Sequence, residues 1–418
     1  MSRRPALFYG WVIVAVTVIG MLIIYGVRHS FSVFFVDILD EFGWSRGNTA
    51  IMFSLNVLIY GLLAPVAGSL GDRWKPRRIM PLGAALLGLA TAGCGLANEL
   101  WHFYVLFGIL MPVGTVFTGW PLFAPAISNW FVRRRATGLG IGLIGGGLSF
   151  TMGIFAEYLI WLLEWRWAYV VLAGMVIGIV IPVVLLFFHY RPADIGRHAD
   201  GFERSVGEDP KPAPGGGAFR DWTLSQAVRT YQLWLLVLAF MLYFGVGNYL
   251  VLAHQVAFAE DIGYSGMIAA SVFGLYGIFL AVGQVSGFIA DRIGREKTFT
   301  LATLLSVAGL LLLISVRDAS QPWMLYAYAI CFGYGAGLMV PALIAGAADL
   351  FHGRHFGAIN GLLLTGMGVG GAIGPWLGGF IFDIWGSYIC AFIICIIAIC
   401  LACLGFWVAA PRRARRHR

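Results

Sequence analysis

The sequence predicts an all-α polytopic membrane protein with twelve transmembrane helices in two pseudo-symmetric six-helix bundles. Three observations lead there. Of 418 residues, 60% are hydrophobic and only 11% charged, a balance too apolar for a soluble chain of this length. The apolar blocks number twelve, and spans of about 21 residues each use roughly 250 residues, which leaves short loops and one longer connection. The third observation is that the two halves of the chain repeat.

The first span, 10–35, is nearly all apolar until Tyr25-Gly26-Val27-Arg28-His29 interrupts it. About 26 residues make about 39 Å of helix, enough to cross a ~30 Å hydrocarbon core. It is longer than the apolar region of a signal peptide and lacks a small-residue cleavage site, so it is expected to stay in the protein. If the core begins near Val12, its centre falls near Leu22, and Arg28 sits roughly 9 Å beyond, still inside the membrane. An arginine there costs about 2.5–3.5 kcal/mol on insertion scales, so by default it faces a wet cavity and serves a function. We read that function as holding an anion.

The next spans fall near 50–70, 79–97, 102–127, 137–161 and 167–188, and the second set near 232–257, 267–290, 298–316, 323–347, 357–381 and 388–409. Between the sets lies the one long polar connection, whose Pro210-Lys211-Pro212-Ala213-Pro214-Gly215-Gly216-Gly217 core has the composition of a flexible linker. The expected organisation is a bundle over 1–190, a linker over 191–230 and a bundle over 231–418. Trp222-Thr223-Leu224-Ser225-Gln226-Ala227 can begin a short amphipathic helix leading into the seventh span.

Of the 28 Lys and Arg, only Arg46, Arg166 and Arg317 fall on one side of these spans and Arg28 within the membrane; all the others fall on the opposite side. That asymmetry places both termini in the cytoplasm of a multi-pass plasma (inner) membrane protein. Basic loops beside anionic lipid account for the net charge of +8 without a nucleic-acid partner. The six cysteines, Cys94, Cys331, Cys390, Cys395, Cys400 and Cys403, all lie in apolar spans without C-x-x-C spacing, as packing residues do.

The repeat is ordered. Asp72 recurs as Asp291, Gly138 and Gly142 as Gly357 and Gly361, Glu164 as Asp383 and Tyr169 as Tyr388, each displaced by 219 residues. Asp40-Glu41-Phe42-Gly43-Trp44-Ser45 maps onto Glu260-Asp261-Ile262-Gly263-Tyr264-Ser265 at 220. Coincidences in one order indicate two parallel six-span halves.

Gly68-Ser-Leu-Gly-Asp72-Arg73 and Gly287-Phe-Ile-Ala-Asp291-Arg292 lie at the ends of spans 2 and 8. Here the chain resembles the major facilitator superfamily, whose signature loops follow helices 2 and 8. The second copy, through Gly294, Arg295 and Lys297, fits fully; the first has Lys75-Pro76 where a glycine and an arginine are usual. The resemblance implies that Asp72, Arg73, Asp291, Arg292 and Arg295 gate conformational change and do not bind substrate. Trp130-Phe131-Val132-Arg133-Arg134-Arg135-Ala-Thr-Gly138-x-Gly140-x-Gly142-x-x-Gly145 is similar to the aromatic, tri-basic, glycine-spaced signature of the monocarboxylate transporters. Gly10-Trp11, preceded by Phe8-Tyr9 in place of the usual acidic residue, and Glu164-Trp165-Arg166-Trp167 resemble the monocarboxylate and oxalate/formate group as well.

Gly140-Ile-Gly142-Leu-Ile-Gly145 and Gly366-Met-Gly368-Val-Gly370-Gly371 also satisfy G-x-G-x-x-G. A dinucleotide site needs a preceding strand and a βαβ unit, so close helix packing between the halves is the expected role. No cofactor or metal is implied.

Candidate substrate contacts are Arg28, Asn56, Tyr60, Thr118, Asn248, Gln284 and Tyr334, with Thr115 at a similar depth; His29 and His254 are candidate proton carriers. Neighbours on a helix point about 100° apart, so at most one of Arg28 and His29 points squarely into a cavity. Asn248 is the symmetry partner of Arg28. Glu157, Glu164 and Asp383 fall toward the outer ends, as interfacial residues. The monocarboxylate carriers commonly hold an Asp/Arg pair in helix 8; this helix has only Gln284 near that place, so either the anion site leans on Arg28 or the substrate differs from simple lactate-like acids.

The resemblance thus implies a secondary transporter of a small organic anion such as lactate or pyruvate, working as a monomer by proton symport and alternating access. Anion exchange of the oxalate/formate type and efflux of amphipathic drugs are the alternatives, the latter calling for a cavity carboxylate, and none lies deep in a predicted span. An enzyme is not expected: there is no H-E-x-x-H, no Walker loop and no in-span carboxylate pair.

Overall fold

The computed structural model describes residues 8–74, 76–131, 134–199, 222–351 and 356–409. Ten of its helices are long and apolar enough to cross a membrane. One of them, Thr137–Phe187, runs 51 residues and reverses at Glu164, whose φ of 67° breaks it into two passes; Pro76–Cys94 adds a further helix of 19 residues. Among the described residues this gives twelve spanning helices. We label them α1 Gly10–Phe42, α2 Arg46–Arg73, α3 Pro76–Cys94, α4 Leu100–Trp130, α5 137–163, α6 165–187, α7 Tyr231–Asp261, α8 Gly266–Ile293, α9 Arg295–Ser315, α10 Pro322–Leu350, α11 Phe356–Trp385 and α12 Ile389–Ala409.

The repeated Gly-x-Ser turn builds the same corner twice. Gly43 (φ 63°) stops α1 and Gly263 (φ 102°) stops α7, a backbone state open to glycine at little cost. Two residues on, Ser45 and Ser265 cap α2 and α8, their hydroxyls accepting from the backbone N–H of Asn48 and Ile268.

α1 is longer than the 10–35 span read from sequence. Ser30 keeps helical dihedrals and donates its hydroxyl to the Gly26 carbonyl at 2.7 Å, so the chain continues helically to Phe42. The middle of the 33-residue α1 is then residue 26, and Arg28 lies only about 3 Å past it, not 9 Å. Asp37 becomes an in-helix carboxylate, about 16 Å from that middle. The 31-residue α7 has its middle at residue 246, which leaves Asn248 at the same depth as Arg28.

The halves meet along two seams, α2 on α11 and α5 on α8. A Cβ on Gly61 would come 2.9 Å from the Gly368 Cα, and one on Gly147 would come 2.5 Å from the Ala281 Cβ, so only a bare backbone permits these approaches. The expected role of the α5 glycines needs correcting: Gly145 packs on the Val18 backbone of α1 and Gly142 on Ile127 and Thr17, inside their own half, and Gly140 has nothing within 4 Å. Of the α11 run, Gly368 and Gly371 do cross the seam, against Gly61 and Val57.

We call the face bearing residues 8 and 409 proximal and the opposite face distal. Seam contacts run from the distal ends to Gly361 beside Pro65 and to Gly147 beside Ala281; proximal to these, a Cβ on Gly68, Gly140 or Gly357 would meet nothing within 4 Å. The halves are held together distally.

Residues 200–221 of the expected linker lie outside the described part. After it, Leu224–Ala227 is a single turn capped by Thr223, with Trp222 edge-on to Phe351, too short to be an amphipathic surface helix.

Candidate functional site

Arg28 is 1% exposed and points from α1 toward α2. Its Nε donates to Asn56 Oδ1 at 2.6 Å, and Asn56 Nδ2 donates to the Phe107 carbonyl of α4 at 2.8 Å. That carbonyl lies in a π-helical stretch, Tyr104–Leu110, where the usual helical ladder is disturbed. Asn56 therefore fixes the guanidinium plane from one edge while α4 fixes Asn56. The Arg28 Cζ lies 4.5 Å from the centre of the Tyr60 ring, a cation–π contact, and the Tyr60 hydroxyl is 2.6 Å from that of Tyr25. Among the described residues Arg28 has no carboxylate partner, and its Nη2 is buried with no hydrogen bond. A fixed, desolvated cation with an open donor edge has the chemistry that suits an anionic group.

His29 turns to the other side, toward α5. Its ring stacks on Phe150 at 4.0 Å and Nδ1 meets Ser149 Oγ at 2.9 Å. The Ser149 proton is committed to the Gly146 carbonyl at 2.6 Å, so Ser149 accepts from His29 Nδ1–H and Nε2 keeps its lone pair. Arg28 and His29 thus face different neighbours.

In the second half, Asn248 is fully buried and accepts from the Tyr276 hydroxyl at 2.9 Å, leaving Nδ2 unpartnered. Gln284 and Tyr334 sit where α8 packs on α10, the Gln284 Oε1 buried and unpartnered; no described contact joins them to Arg28. Thr118 is not brought to the site. Its hydroxyl donates to the carbonyls of Gly114 and Met80, against α3, and Thr115 likewise bonds Met111 of its own helix.

His254 belongs to a different structure. Nε2 donates to the Pro375 carbonyl at 2.7 Å and Nδ1 lies 3.2 Å from the Tyr388 hydroxyl, which accepts from Arg46 at 2.8 Å. Both ring nitrogens are engaged. The Arg46 guanidinium grips Asp261 with two bonds, 2.6 and 2.7 Å, and lies 3.8 Å over the Phe382 ring. Asp383, which looked interfacial, accepts from the backbone N–H of Arg46 and Gly47 at 2.8 and 2.7 Å. The N-terminus of α2 is thereby latched to α7, α11 and α12 at the distal face. Glu41 is instead held within the first half, by Arg166 at 2.5 Å and the Trp165 indole at 2.6 Å.

At the proximal end of α8, Gly294 (φ 99°) breaks the chain and Arg295 opens α9. Arg295 donates to Asp291 at 2.6 Å and to Asp349 of α10 at 3.1 Å; Arg292 instead lies beside the Phe288 ring, 5.3 Å away. The side chains of Asp72 and Arg73 lie outside the described residues. Because Arg295 ties three helix ends far from Arg28, Asp291→Asn is expected to slow turnover severalfold while changing equilibrium binding less than about twofold. Transport and binding measured on the same preparation check this, and a matching loss of affinity sinks it.

What sequence reasoning missed is Tyr25, Ser149, Phe150, Tyr276 and the Arg46 latch. Tyr276 had one available signal: it stands 220 residues from Asn56, the repeat displacement.

A family model described as Major Facilitator Superfamily matches residues 17–291 and 235–418. Among curated proteins, monocarboxylate transporter 13 of Bos taurus is 26% identical over 390 residues, covering 92% of this chain and 86% of its own length. Monocarboxylate transporter 11 of Homo sapiens is 27% identical over 399 residues, covering 92% and 80%. Among solved structures, a bacterial homolog of the human lysosomal transporter Spinster, in an inward-facing and unoccupied conformation, superposes with a TM-score of 0.72 at 17% identity, covering 100% of this chain and 99% of that one. Its inward-facing, occupied form gives 0.71 at 16%, covering 98% of each.

Proposed function

This chain belongs to the major facilitator superfamily, and from that premise we propose that it carries a small monocarboxylate anion across the membrane by alternating access, with a proton as co-substrate. It is a membrane transporter, not an enzyme, related to the monocarboxylate transporters. The observation that carries the finer reading is the buried Arg28 guanidinium, which among the described residues has no counter-ion and leaves Nη2 without a hydrogen bond. A cationic drug finds no matching charge there among the described residues, since Asp37, nine residues on along α1, stands about 14 Å from the level of Arg28.

Proton coupling follows from charge. A monocarboxylate and a proton move together without net charge, and a titratable group beside the anion is needed to carry the proton. Of the two histidines, His29 follows Arg28 in the chain at the same depth, facing α5, and keeps Nε2 open, while both nitrogens of His254 are engaged. His29 is the carrier in this proposal, and His254 serves the latch. The basic loops make the proximal face cytoplasmic, and the distal latch then closes the outer side.

Uptake of labelled lactate, pyruvate, oxalate and formate into proteoliposomes, with and without an imposed pH gradient, tests the function. Expected is accumulation of a monocarboxylate driven by external acid and abolished by a protonophore, with His29→Gln binding substrate but no longer responding to the gradient. Uptake that ignores the gradient and requires anion loaded inside the vesicle identifies an exchanger instead.

A further inference from the structure

The two halves hold the same arrangement at mid-membrane with different chemistry. Arg28 and Asn248 stand 220 residues apart, as do their partners Asn56 and Tyr276. In each half one hydrogen bond ties the first helix to the second: Arg28 Nε to Asn56 Oδ1 at 2.6 Å, and the Tyr276 hydroxyl to Asn248 Oδ1 at 2.9 Å. In each half that tie leaves one N–H group buried and unpartnered, Arg28 Nη2 and Asn248 Nδ2. One is charged and the other neutral.

Tyr276 sets the amide orientation. Its hydroxyl has a proton to give, the Asn oxygen takes it, and the NH2 is turned away. The Asn248 side chain is fully buried and closes the π-helical stretch Met241–Asn248, a local widening found often at functional sites. Ring contacts between the halves run beside both positions. His29, the chain neighbour of Arg28, stacks on Phe150, whose ring meets the Tyr276 ring edge-on at 5.2 Å; Phe53 of α2 meets Tyr249 of α7, the chain neighbour of Asn248, at 5.9 Å. A buried amide N–H with no acceptor is costly, and a bound oxygen removes that cost.

We propose that Asn248 Nδ2–H, positioned by Tyr276, is the second donor of the site and takes an uncharged oxygen, carbonyl or hydroxyl, on the same anion whose carboxylate Arg28 holds. The inference rests on the Arg28 reading and deepens it. With one cation and one neutral donor, the site fits a monoanion bearing an uncharged acceptor. A dicarboxylate would bury a second negative charge against an amide that cannot neutralise it.

Equilibrium binding of propionate, pyruvate and oxalate to the purified full-length protein tests this, with Asn248→Leu and Tyr276→Phe alongside. The native protein is expected to bind pyruvate roughly ten- to a hundredfold more tightly than propionate, which has no second oxygen function, and oxalate no more tightly than propionate. Asn248→Leu should erase the pyruvate preference while leaving propionate affinity within about twofold; Tyr276→Phe should narrow it severalfold, again sparing propionate. A merely structural Asn248 lowers both affinities together, and that result overturns the inference. So does a preference that survives Asn248→Leu, a native protein without preference, or oxalate as the tightest ligand. If Asn248→Leu does not fold, the Tyr276→Phe ratio decides. Should propionate depend on Arg28 while the ratio ignores Asn248 and Tyr276, the inference alone falls; should no monocarboxylate bind the native protein, the Arg28 reading falls and takes this with it.

Discussion

Arg28→Gln is expected to abolish measurable monocarboxylate binding. Truncating one partner of a buried charge pair typically costs about 2–5 kcal/mol, roughly 30- to several-thousand-fold in affinity, and the upper part of that range applies where the remaining charge has no alternative partner. Here the liganded carboxylate would be left among Tyr60, Tyr25 and aromatic rings, with no other described cation in contact with the site. Arg28→Lys should bind more weakly than the native protein and better than the Gln variant, because an ammonium restores the charge without the fork that Asn56 holds in plane. Stability separates function from architecture. An unpaired arginine near mid-membrane costs about 2.5–3.5 kcal/mol on insertion scales, so the ligand-free Gln variant should be at least as heat-resistant as the native protein. A Gln variant that melts earlier and keeps its affinity would place the anion elsewhere and make Arg28 a packing residue.

The repeat, the span count and the polar mid-helix residues were legible in the sequence because each is set locally, by hydropathy or by a fixed displacement. The corner Gly43-Trp44-Ser45 and its copy Gly263-Tyr264-Ser265 carry their own backbone instructions, a left-handed stop and a hydroxyl cap. Helix rotation was not legible. Asn56 and Thr118 look equally polar and equally deep, yet one holds Arg28 and the other spends its hydroxyl on backbone carbonyls against α3. A one-residue turn of about 100° decides between such outcomes, and tertiary packing sets it. α1 outruns the 10–35 span because hydropathy marks only the apolar run, whereas Asp37, Asp40 and Glu41 ride on a helix that continues past it. The distal latch was hidden by separation: Arg46 reaches Asp261 across 215 positions and Asp383 across 337. Each of those acids alone is an ordinary helix-end residue.

That latch carries the second large effect. α2 has no acidic residue in its own first turn, although the helix dipole favours a negative charge there; Asp383 of the opposite half supplies it, both oxygens on backbone N–H groups. Among the described residues, every partner of the Arg46 side chain, Asp261, Tyr388 and Phe382, also belongs to that half. Separating the halves at the distal face breaks all of these contacts at once, so they stabilise the distally closed state alone and bias any equilibrium with a distally open state toward it. Asp383 is exposed, which discounts each charge-assisted bond to about 1–2 kcal/mol. Losing the charge in Asp383→Asn should therefore raise the distally open population about tenfold. The readout is labelling of Ser32→Cys by an impermeant maleimide from the distal side, because Ser32 is buried where α1 meets the Ala253 carbonyl of α7. Labelling about tenfold faster in the Asp383→Asn background than in the parent, with net transport slowed because the carrier returns less often to its distally closed form, is the expected outcome. Arg46→Gln should act in the same direction, and by more, since it removes the Asp261 pair and leaves that carboxylate without its cation. Unchanged labelling in both variants would mean that the seam glycines, rather than the latch, hold the distal face shut.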